Sequence, residues 1–333
     1  MKARKAVAGL SLALTSGLLS ACADEVPQPQ PAPEPETPPA ALDDQRLGRI
    51  LDEIGQSVAR ADEAGDAGEL GRRVIGPAQE TREAEYAVAE ATDGETGPST
   101  LITDPQVSAV AASEDWPRPA MVVTEVPDGE NLPLLLGLTQ TSPRTPYALW
   151  GWVTLFPGIE VPQMARTEAG SPVVAPDAGG LAVAPENVAD QYAQVLADPD
   201  SDRAEQFADD PNAQAWQETV SALEEDIGEF GEVSTDAAGT DTDPLALATA
   251  DGGAIVLTEM RWELTVSKTV EDAGLTVGWP FDVLLDDPEV DGSVTATFER
   301  TVAFSVPSAD AEDSTVRPLG VTEVLVDASR DDG

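Results

Sequence analysis

The chain contains no histidine and a single cysteine, Cys22. Without imidazole, a Ser-His-Asp or Cys-His nucleophile system cannot form, and an ordinary tetrahedral zinc site loses its main ligands. Blue copper, haem and iron–sulfur centres are disfavoured for the same reason, because histidine and cysteine supply most of their ligands. A lone cysteine also excludes a disulfide within the chain. Composition therefore excludes several catalytic and cofactor classes, and no cofactor is expected.

Basic residues are scarce: the chain has 18 Lys and Arg against 62 Asp and Glu, which gives a formal net charge of -44. Lys268 is the only lysine beyond the first 21 residues. Such a surface repels nucleic acid and anionic lipid head groups, so neither is an expected electrostatic partner, whereas basic proteins and cations are. Acidity also promotes solubility, and that interpretation is preferred because net charge determines solubility and association but not fold.

The chain contains one long apolar run, residues 6–19, and the basic residues Lys2, Arg4 and Lys5 precede it. Together with the small residues that follow, it has the order of a secretory signal at residues 1–21. The run is too short to cross a bilayer comfortably, and no second run of that length follows. An uncleaved membrane helix, or a signal discarded whole, are the alternatives. Removing the three basic residues would bring the net charge to about -47.

The sequence Leu19-Ser20-Ala21-Cys22 resembles the lipobox of bacterial lipoproteins. In that family the cysteine thiol carries diacylglycerol and becomes the first residue after cleavage. The resemblance implies a membrane partner reached through a diacylglyceryl-cysteine at Cys22, with fatty acids such as palmitate as the anchor. The expected location is the extracytoplasmic face of the cell membrane, and the protein would be lipid-anchored there.

Residues 22–41 are expected to form the lipidated cysteine and a disordered, extended tether. This stretch has no apolar periodicity and favours a polyproline-type spacer. Its prolines are Pro27, Pro29, Pro31, Pro33, Pro35, Pro38 and Pro39.

Two α+β lobes are predicted, at 42–182 and 183–333, each with N-terminal helices packed on a curved antiparallel sheet. In the first lobe, apolar spacings of three and four predict a helix from residue 42 and a second within 69–86, before strands at 107–112, 120–126, 132–141 and 146–156. In the second lobe, helices near 185–196 and 207–223 precede strands at 245–249, 254–268 and 294–306.

Asp-Gly turns at Asp128 and Asp251 occupy similar places in the two predicted lobes and suggest an internal repeat. The pairs Gly151-Trp152 and Gly278-Trp279 suggest the same. This order resembles the nuclear-transport-factor-2-like fold.

The stretch Leu247-Ala248-Thr249-Ala250-Asp251-Gly252-Gly253-Ala254-Ile255-Val256, after a lipobox and a tether, is similar to uncharacterised lipoproteins of actinobacteria. That resemblance implies an extracytoplasmic location. It supplies no catalytic residues.

Four aspartates have the spacing of positions one, three, five and twelve of an EF-hand loop: Asp198, Asp200, Asp202 and Asp209. Alternate carboxylates on a short loop can converge on a hard cation, so calcium is a candidate ligand. The loop departs from the pattern, because Arg203 replaces the turn glycine and an aspartate replaces the final glutamate. A solvated acidic loop between two helices is the preferred alternative.

Tryptophans on the predicted strands suggest either core packing or an aromatic-lined pocket for a small apolar ligand. Trp150 and Trp152 are predicted to share one face of a strand whose other face is also apolar, which favours a buried strand. Trp262 and Trp279 allow the same two interpretations.

The sequence favours a non-enzymatic lipoprotein that displays an acidic surface and binds or organises an envelope protein partner. Its alternative is a binder of an apolar or lipid-like ligand in a lobe cavity. A carboxylate-dependent hydrolase is the third candidate, because 62 acidic residues supply some suitable pair by chance.

Overall fold

The computed structural model describes residues 38–270, 274–285 and 289–331. In this part of the chain the α-helices are α1 (Asp44–Ala64), α2 (Pro77–Ala91), α3 (Val188–Ala197), α4 (Pro211–Ile227) and the one-turn α5 (Phe281–Leu284). The first five strands are β1 (Pro105–Ala112), β2 (Arg118–Thr124), β3 (Leu134–Gln140), β4 (Ala148–Leu155) and β5 (Ser171–Pro172). The others are β6 (Gly231–Gly239), β7 (Leu245–Ala248), β8 (Ala254–Lys268), β9 (Ser293–Val306) and β10 (Arg317–Asp331).

Helix α1 forms where the apolar spacing predicted it. The carboxylate of Asp43 caps its start by accepting the Arg46 N–H at 2.8 Å, and Gly65 ends it at φ 60°, a left-handed conformation that glycine adopts without strain. The apolar stripe of the helix is buried: Leu47, Leu51, Ile54 and Val58.

The strands form a single sheet in the order β5-β1-β2-β3-β4-β10-β9-β8-β6, and β7 pairs with β8 beside this path. The pairings are antiparallel except for the parallel contact between β1 and β5. Both predicted Asp-Gly turns are confirmed, because Gly129 and Gly252 join β2 to β3 and β7 to β8 with φ of 87°. The predicted α+β class is also confirmed.

The sheet curves so that its two halves face each other across an aliphatic core that includes Met121, Leu135, Leu257 and Leu319. The outer face of β1–β4 packs on α1 and α2, and the outer face of β8–β10 packs on α3 and α4. Strands β4 and β8 are therefore buried on both faces over part of their length.

The predicted division into two lobes is not confirmed, because the two halves of the chain share one sheet and one central core. The described residues from 38 onward belong to a single compact unit. Strand β4 pairs with β10 through Leu155 and Gly320. A Cβ on Gly320 would lie 2.3 Å from the Thr154 carbonyl oxygen, so this close strand contact requires glycine.

The end of the predicted tether belongs to the fold. Ala41 donates its N–H to the carbonyl of Ala111 at 2.8 Å, and Ala40 bridges to Ala112. The proposed repeat pair also differs between the halves, since Gly151-Trp152 lies within β4 whereas Gly278-Trp279 lies in the turn before α5.

Candidate functional site

Cys22, the lipobox and most of the tether lie outside the described residues. Among the helices of the described ranges, none combines the length and the apolar character needed to cross a bilayer. The lipid anchor thus stays a prediction of the sequence.

A cleft of about 720 Å³ lies between the start of β1 and the segment that follows β4. We call it the apolar cleft. Its apolar lining is aliphatic: Val107, Val123, Pro133, Leu155, Ile159, Val161, Pro162, Met164 and Ala165. Val107 is 55% exposed although it lies in a strand. The polar side chains that complete the lining are Gln106, Ser108, Gln163, Arg166, Thr167 and Glu168.

The outer wall of the cleft, residues 159–168, is held at several points along its length. The Gln163 carbonyl accepts the Ala250 N–H at 2.7 Å, and Ala165 donates its N–H to Ser171 Oγ at 3.2 Å. Just beyond it, Gly170 has φ 73° and a Cβ there would lie 2.9 Å from the Ala112 Cβ, so this end of the segment packs closely on β1. These contacts hold the wall while the space beneath it stays open, which describes a preformed site.

The tryptophans predicted to line a pocket are mostly core residues. Trp150, Trp152 and Trp262 are 6%, 2% and 1% exposed. The predicted common face of Trp150 and Trp152 is wrong, because a bulge in β4 opposite Gly137 and Leu138 turns them to opposite faces of the sheet. None of the four tryptophans lines the apolar cleft.

Trp279 differs from the other three, since it is 62% exposed and borders two smaller cavities of about 250 and 170 Å³. Both cavities also contact Phe298 and Glu323. Arg300 lines the smaller one together with Trp216, and its guanidinium carbon lies 4.6 Å from the centre of the Trp262 ring.

Three carboxylates meet beneath α2: Glu80 of that helix, Glu259 of β8 and Glu299 of β9. One oxygen from each lies within 4.8 Å of the other two. Glu259 and Glu299 are only 4% and 8% exposed, whereas Glu80 is open to solvent. Both buried glutamates lie on the same side of the sheet as Leu257 and Ala303 of the central core, and Glu80 reaches them from α2. We call this group the glutamate cluster.

The groups around the cluster compensate only part of its charge. Thr240 and Thr242 each donate a hydroxyl hydrogen bond of 2.8 Å to Glu259 Oε2, whereas Glu259 Oε1 is buried without a hydrogen-bond partner. Arg261 Nη2 donates to Glu299 Oε1 at 2.8 Å. Burial, followed by repulsion from Glu259 and Glu299, raises the pKa of the Glu80 carboxyl above its usual value.

The predicted calcium loop does not assemble a comparable group. Across the described ranges, the glutamate cluster is the group of three or more acidic side chains that bring ligand atoms this close together. Asp198 instead ends α3, and its carboxylate accepts the Asp200 N–H at 3.3 Å. The loop carrying Asp202 and Asp209 also contains Arg203, which donates to Gln191 and Gln206. This arrangement matches the alternative of a solvated acidic loop.

Comparisons with known proteins give a family and no function. No curated protein and no solved structure matches the chain, so the likeness to the nuclear-transport-factor-2-like fold stays a prediction. A family model described as a domain of unknown function, DUF8094, matches residues 39–330, and the chain therefore belongs to that family.

Proposed function

We propose that the chain is an extracytoplasmic lipoprotein, anchored through Cys22, whose folded part is a non-enzymatic module that binds an aliphatic, lipid-like molecule in the apolar cleft. The observation that carries the ligand proposal is the preformed cleft of about 720 Å³ with an aliphatic lining. This volume falls within the range of roughly 300–1,000 Å³ that is typical of small-molecule sites. The lipobox sequence supports the anchor.

The lining selects for an aliphatic chain and against a sugar or an aromatic ring. The tryptophans and phenylalanines lie elsewhere, and the apolar wall consists of branched, proline and methionine side chains. Arg166 is the cation among the lining residues, and it is exposed at the rim. A carboxylate or phosphate head group would pair with this guanidinium while the chain lies along Val107 and Leu155.

Binding can be tested with fatty acids of increasing length. The protein for this experiment is the chain without residues 1–21 and with Cys22→Ser, so that its own lipid does not compete. Each buried methylene contributes about 0.8 kcal/mol, so two added methylenes should tighten binding by about tenfold until the cleft is full. Displacement of a fluorescent fatty acid measures this series.

Val107→Asp should weaken fatty-acid binding at least tenfold, because it places a charge against the aliphatic wall. Val126→Asp is the matched control, since Val126 is also an exposed valine, at 46%, but does not line the cleft. Equal affinity of both variants and the parent protein, or an affinity that does not depend on chain length, would contradict the proposal.

Anchoring needs a separate test, since the cleft and the lipid are independent. Cells that express the full chain should incorporate an alkyne analogue of palmitate into it, and Cys22→Ala should abolish the label and release the protein from the membrane fraction. Labelling that persists in Cys22→Ala would contradict the anchor.

A protein partner is the second candidate function, and the outer edge of β6 favours it. Within the described residues, β6 ends the sheet and pairs only with β8. Asp190 of α3 accepts the N–H of Gly239 at the end of the strand, and no other strand pairs with this edge. Its exposed side chains include Glu232 and Asp236, which suit a basic strand added to this edge. Crosslinking to an envelope protein should be lost with Glu232→Lys and Asp236→Lys together, and kept when Asp198 and Asp200 are changed to lysine. A carboxylate-dependent hydrolase stays the third candidate.

A further inference from the structure

We propose that Glu80, Glu259 and Glu299 form a binding site for one calcium ion, which joins α2 to the sheet. The site is independent of the proposed lipid binding, because none of the three residues lines the apolar cleft. It also differs from the aspartate loop that the sequence had suggested for calcium.

Distances between the three carboxylates suit this cation. Calcium binds oxygen at about 2.3–2.6 Å, so two oxygens on opposite sides of one ion lie up to about 5 Å apart. The glutamate oxygens are separated by at most 4.8 Å. Magnesium requires about 2.0–2.1 Å and a strict octahedron, a geometry that three carboxylates from separate elements satisfy less readily than the flexible shell of calcium.

An unpaired oxygen of Glu259 is independent evidence that this cluster binds a cation. The side chain is 4% exposed, and its Oε2 is fixed by the hydroxyls of Thr240 and Thr242. Its Oε1 is buried and accepts no hydrogen bond. A buried carboxylate oxygen that accepts no hydrogen bond from the protein is costly, and a bound cation removes that cost.

Charge in the cluster leads to the same conclusion. Three carboxylates face one nearby guanidinium, that of Arg261, which pairs with Glu299. The excess negative charge must be balanced by a proton or by a cation, since like charges this close repel strongly. Calcium satisfies both the charge and the open oxygen of Glu259, whereas a proton shared between Glu80 and Glu299 satisfies only the charge.

The affinity should be modest because the protein supplies few ligands. Glu80 lies in the first turn of α2 and is exposed, so water would complete the coordination shell. Extracellular calcium modules of this kind have dissociation constants on the order of 10⁻⁴–10⁻³ M. Such a site would be filled outside the cell, where the lipoprotein is proposed to lie.

Isothermal titration calorimetry on the full chain, purified in detergent and freed of metal with a chelator, tests the site. Calcium chloride should bind with a dissociation constant near 10⁻³ M or below, and magnesium chloride at least tenfold more weakly. Glu259→Gln and Glu80→Gln should each weaken calcium binding at least tenfold. Asp200→Asn is the matched control, which removes one carboxylate from the predicted calcium loop and should leave binding unchanged.

Thermal unfolding provides a second measurement that does not depend on binding heat. Calcium at 10 mM should raise the Tm of the parent protein and of Asp200→Asn by a few degrees, and leave that of Glu80→Gln unchanged. Because Glu80 is exposed, this variant should fold even if Glu259→Gln does not. No binding up to 10 mM calcium, or binding lost in Asp200→Asn and kept in Glu80→Gln, would overturn the proposal.

Discussion

Each half of the sheet buries one arginine against a tryptophan, but the two arginines differ in what surrounds them. In the first half, Arg82 of α2 is fully buried, and its guanidinium carbon lies 5.4 Å from the centre of the Trp152 ring. In the second half, Arg300 of β9 is 3% exposed and lies 4.6 Å from the Trp262 ring. At both positions the flat guanidinium packs against an aromatic ring inside the core.

The two arginines differ in how exposed their carboxylate partners are. Arg82 has two, Glu85 at 2.8 Å and Asp62 at 3.7 Å, and the Glu85 side chain is only 11% exposed. Arg300 pairs with Glu323, which is 36% exposed, and it lines a cavity. Each guanidinium keeps nitrogens without a hydrogen-bond partner, Nε and Nη2 in Arg82 and Nη1 in Arg300, so the contrast lies in the carboxylate partners. The first arginine is therefore neutralised inside the fold, whereas the second lies where water can reach its partner.

Removing the enclosed arginine should have the largest effect. Arg82→Met keeps much of the side-chain volume but leaves Glu85 buried without its cation, and breaking such a pair costs about 3–5 kcal/mol. Urea unfolding measures the loss. Arg60→Met, an exposed position on α1, is the control and should change stability by less than about 0.5 kcal/mol. A similar small loss for Arg82→Met would show that the pair does not stabilise the fold.

A second prediction concerns the join between the two halves. Gly320→Ala places a Cβ 2.3 Å from the carbonyl oxygen of Thr154, and the strands must separate to accept it. We expect a loss of about 2–3 kcal/mol, as for other overpacked sites. Because the halves share a core, unfolding should remain one transition at a lower urea midpoint. Two transitions, only one of them shifted, would instead support two independent lobes.

The sequence predicted the strands of β1–β4 and β7–β9 because their apolar residues recur with a period of two or form short continuous runs. It missed the two-residue strand β5 and the longer strands β6 and β10. Strand β6 is composed largely of residues that disfavour strands, among them Gly231, Asp236 and Gly239. Strand β10 contains Gly320 and the charged residues Glu323 and Asp327, which interrupt its pattern. Both are strands because a long neighbour, β8 or β9, supplies the pairing partner.

The candidate sites were harder to predict than the fold. Glu259 and Glu299 alternate with apolar residues, so the pattern alone assigns them to solvent. In the fold that face of β8 and β9 carries Leu257 and Ala303 of the central core, and it is therefore buried. The apolar cleft arises from the path of residues 159–168, which have no periodicity. Trp279 was the one predicted pocket residue that reached a cavity, and its neighbouring glycine and proline were the available signal of an exposed turn.

Removing the open arginine should cost less than removing Arg82. Arg300→Met leaves Glu323 with access to water, so the loss is that of one charged hydrogen bond, about 1.5–3 kcal/mol. The ratio of the two losses of unfolding free energy, measured by urea unfolding under the same conditions, tests whether access of water to the carboxylate partner lowers the cost. A loss for Arg300→Met that equals or exceeds that for Arg82→Met would show that access of water to the partner does not decide the cost.

The smallest effects are expected at the helix caps, where the halves also differ. Asp43 caps α1 in an exposed position, whereas Asp210 caps α4 at 4% exposure and accepts the N–H groups of Asn212 and Ala213. Replacing either aspartate by alanine should cost about 1 kcal/mol, since an N-cap acceptor is lost.

Asparagine keeps the cap and removes only the charge, so it separates capping from titration. Burial raises the pKa of the Asp210 carboxyl, although hydrogen bonds from Ala213 and Tyr192 oppose this shift. Above pH 3.8, the usual value, the folded state therefore holds the proton more tightly than the unfolded state, and stability falls as pH rises through the folded pKa. Relative to the parent protein, Asp210→Asn should become more stable as pH increases from 4 to 7 in urea unfolding. A difference that stays flat with pH would show that the buried carboxyl titrates normally.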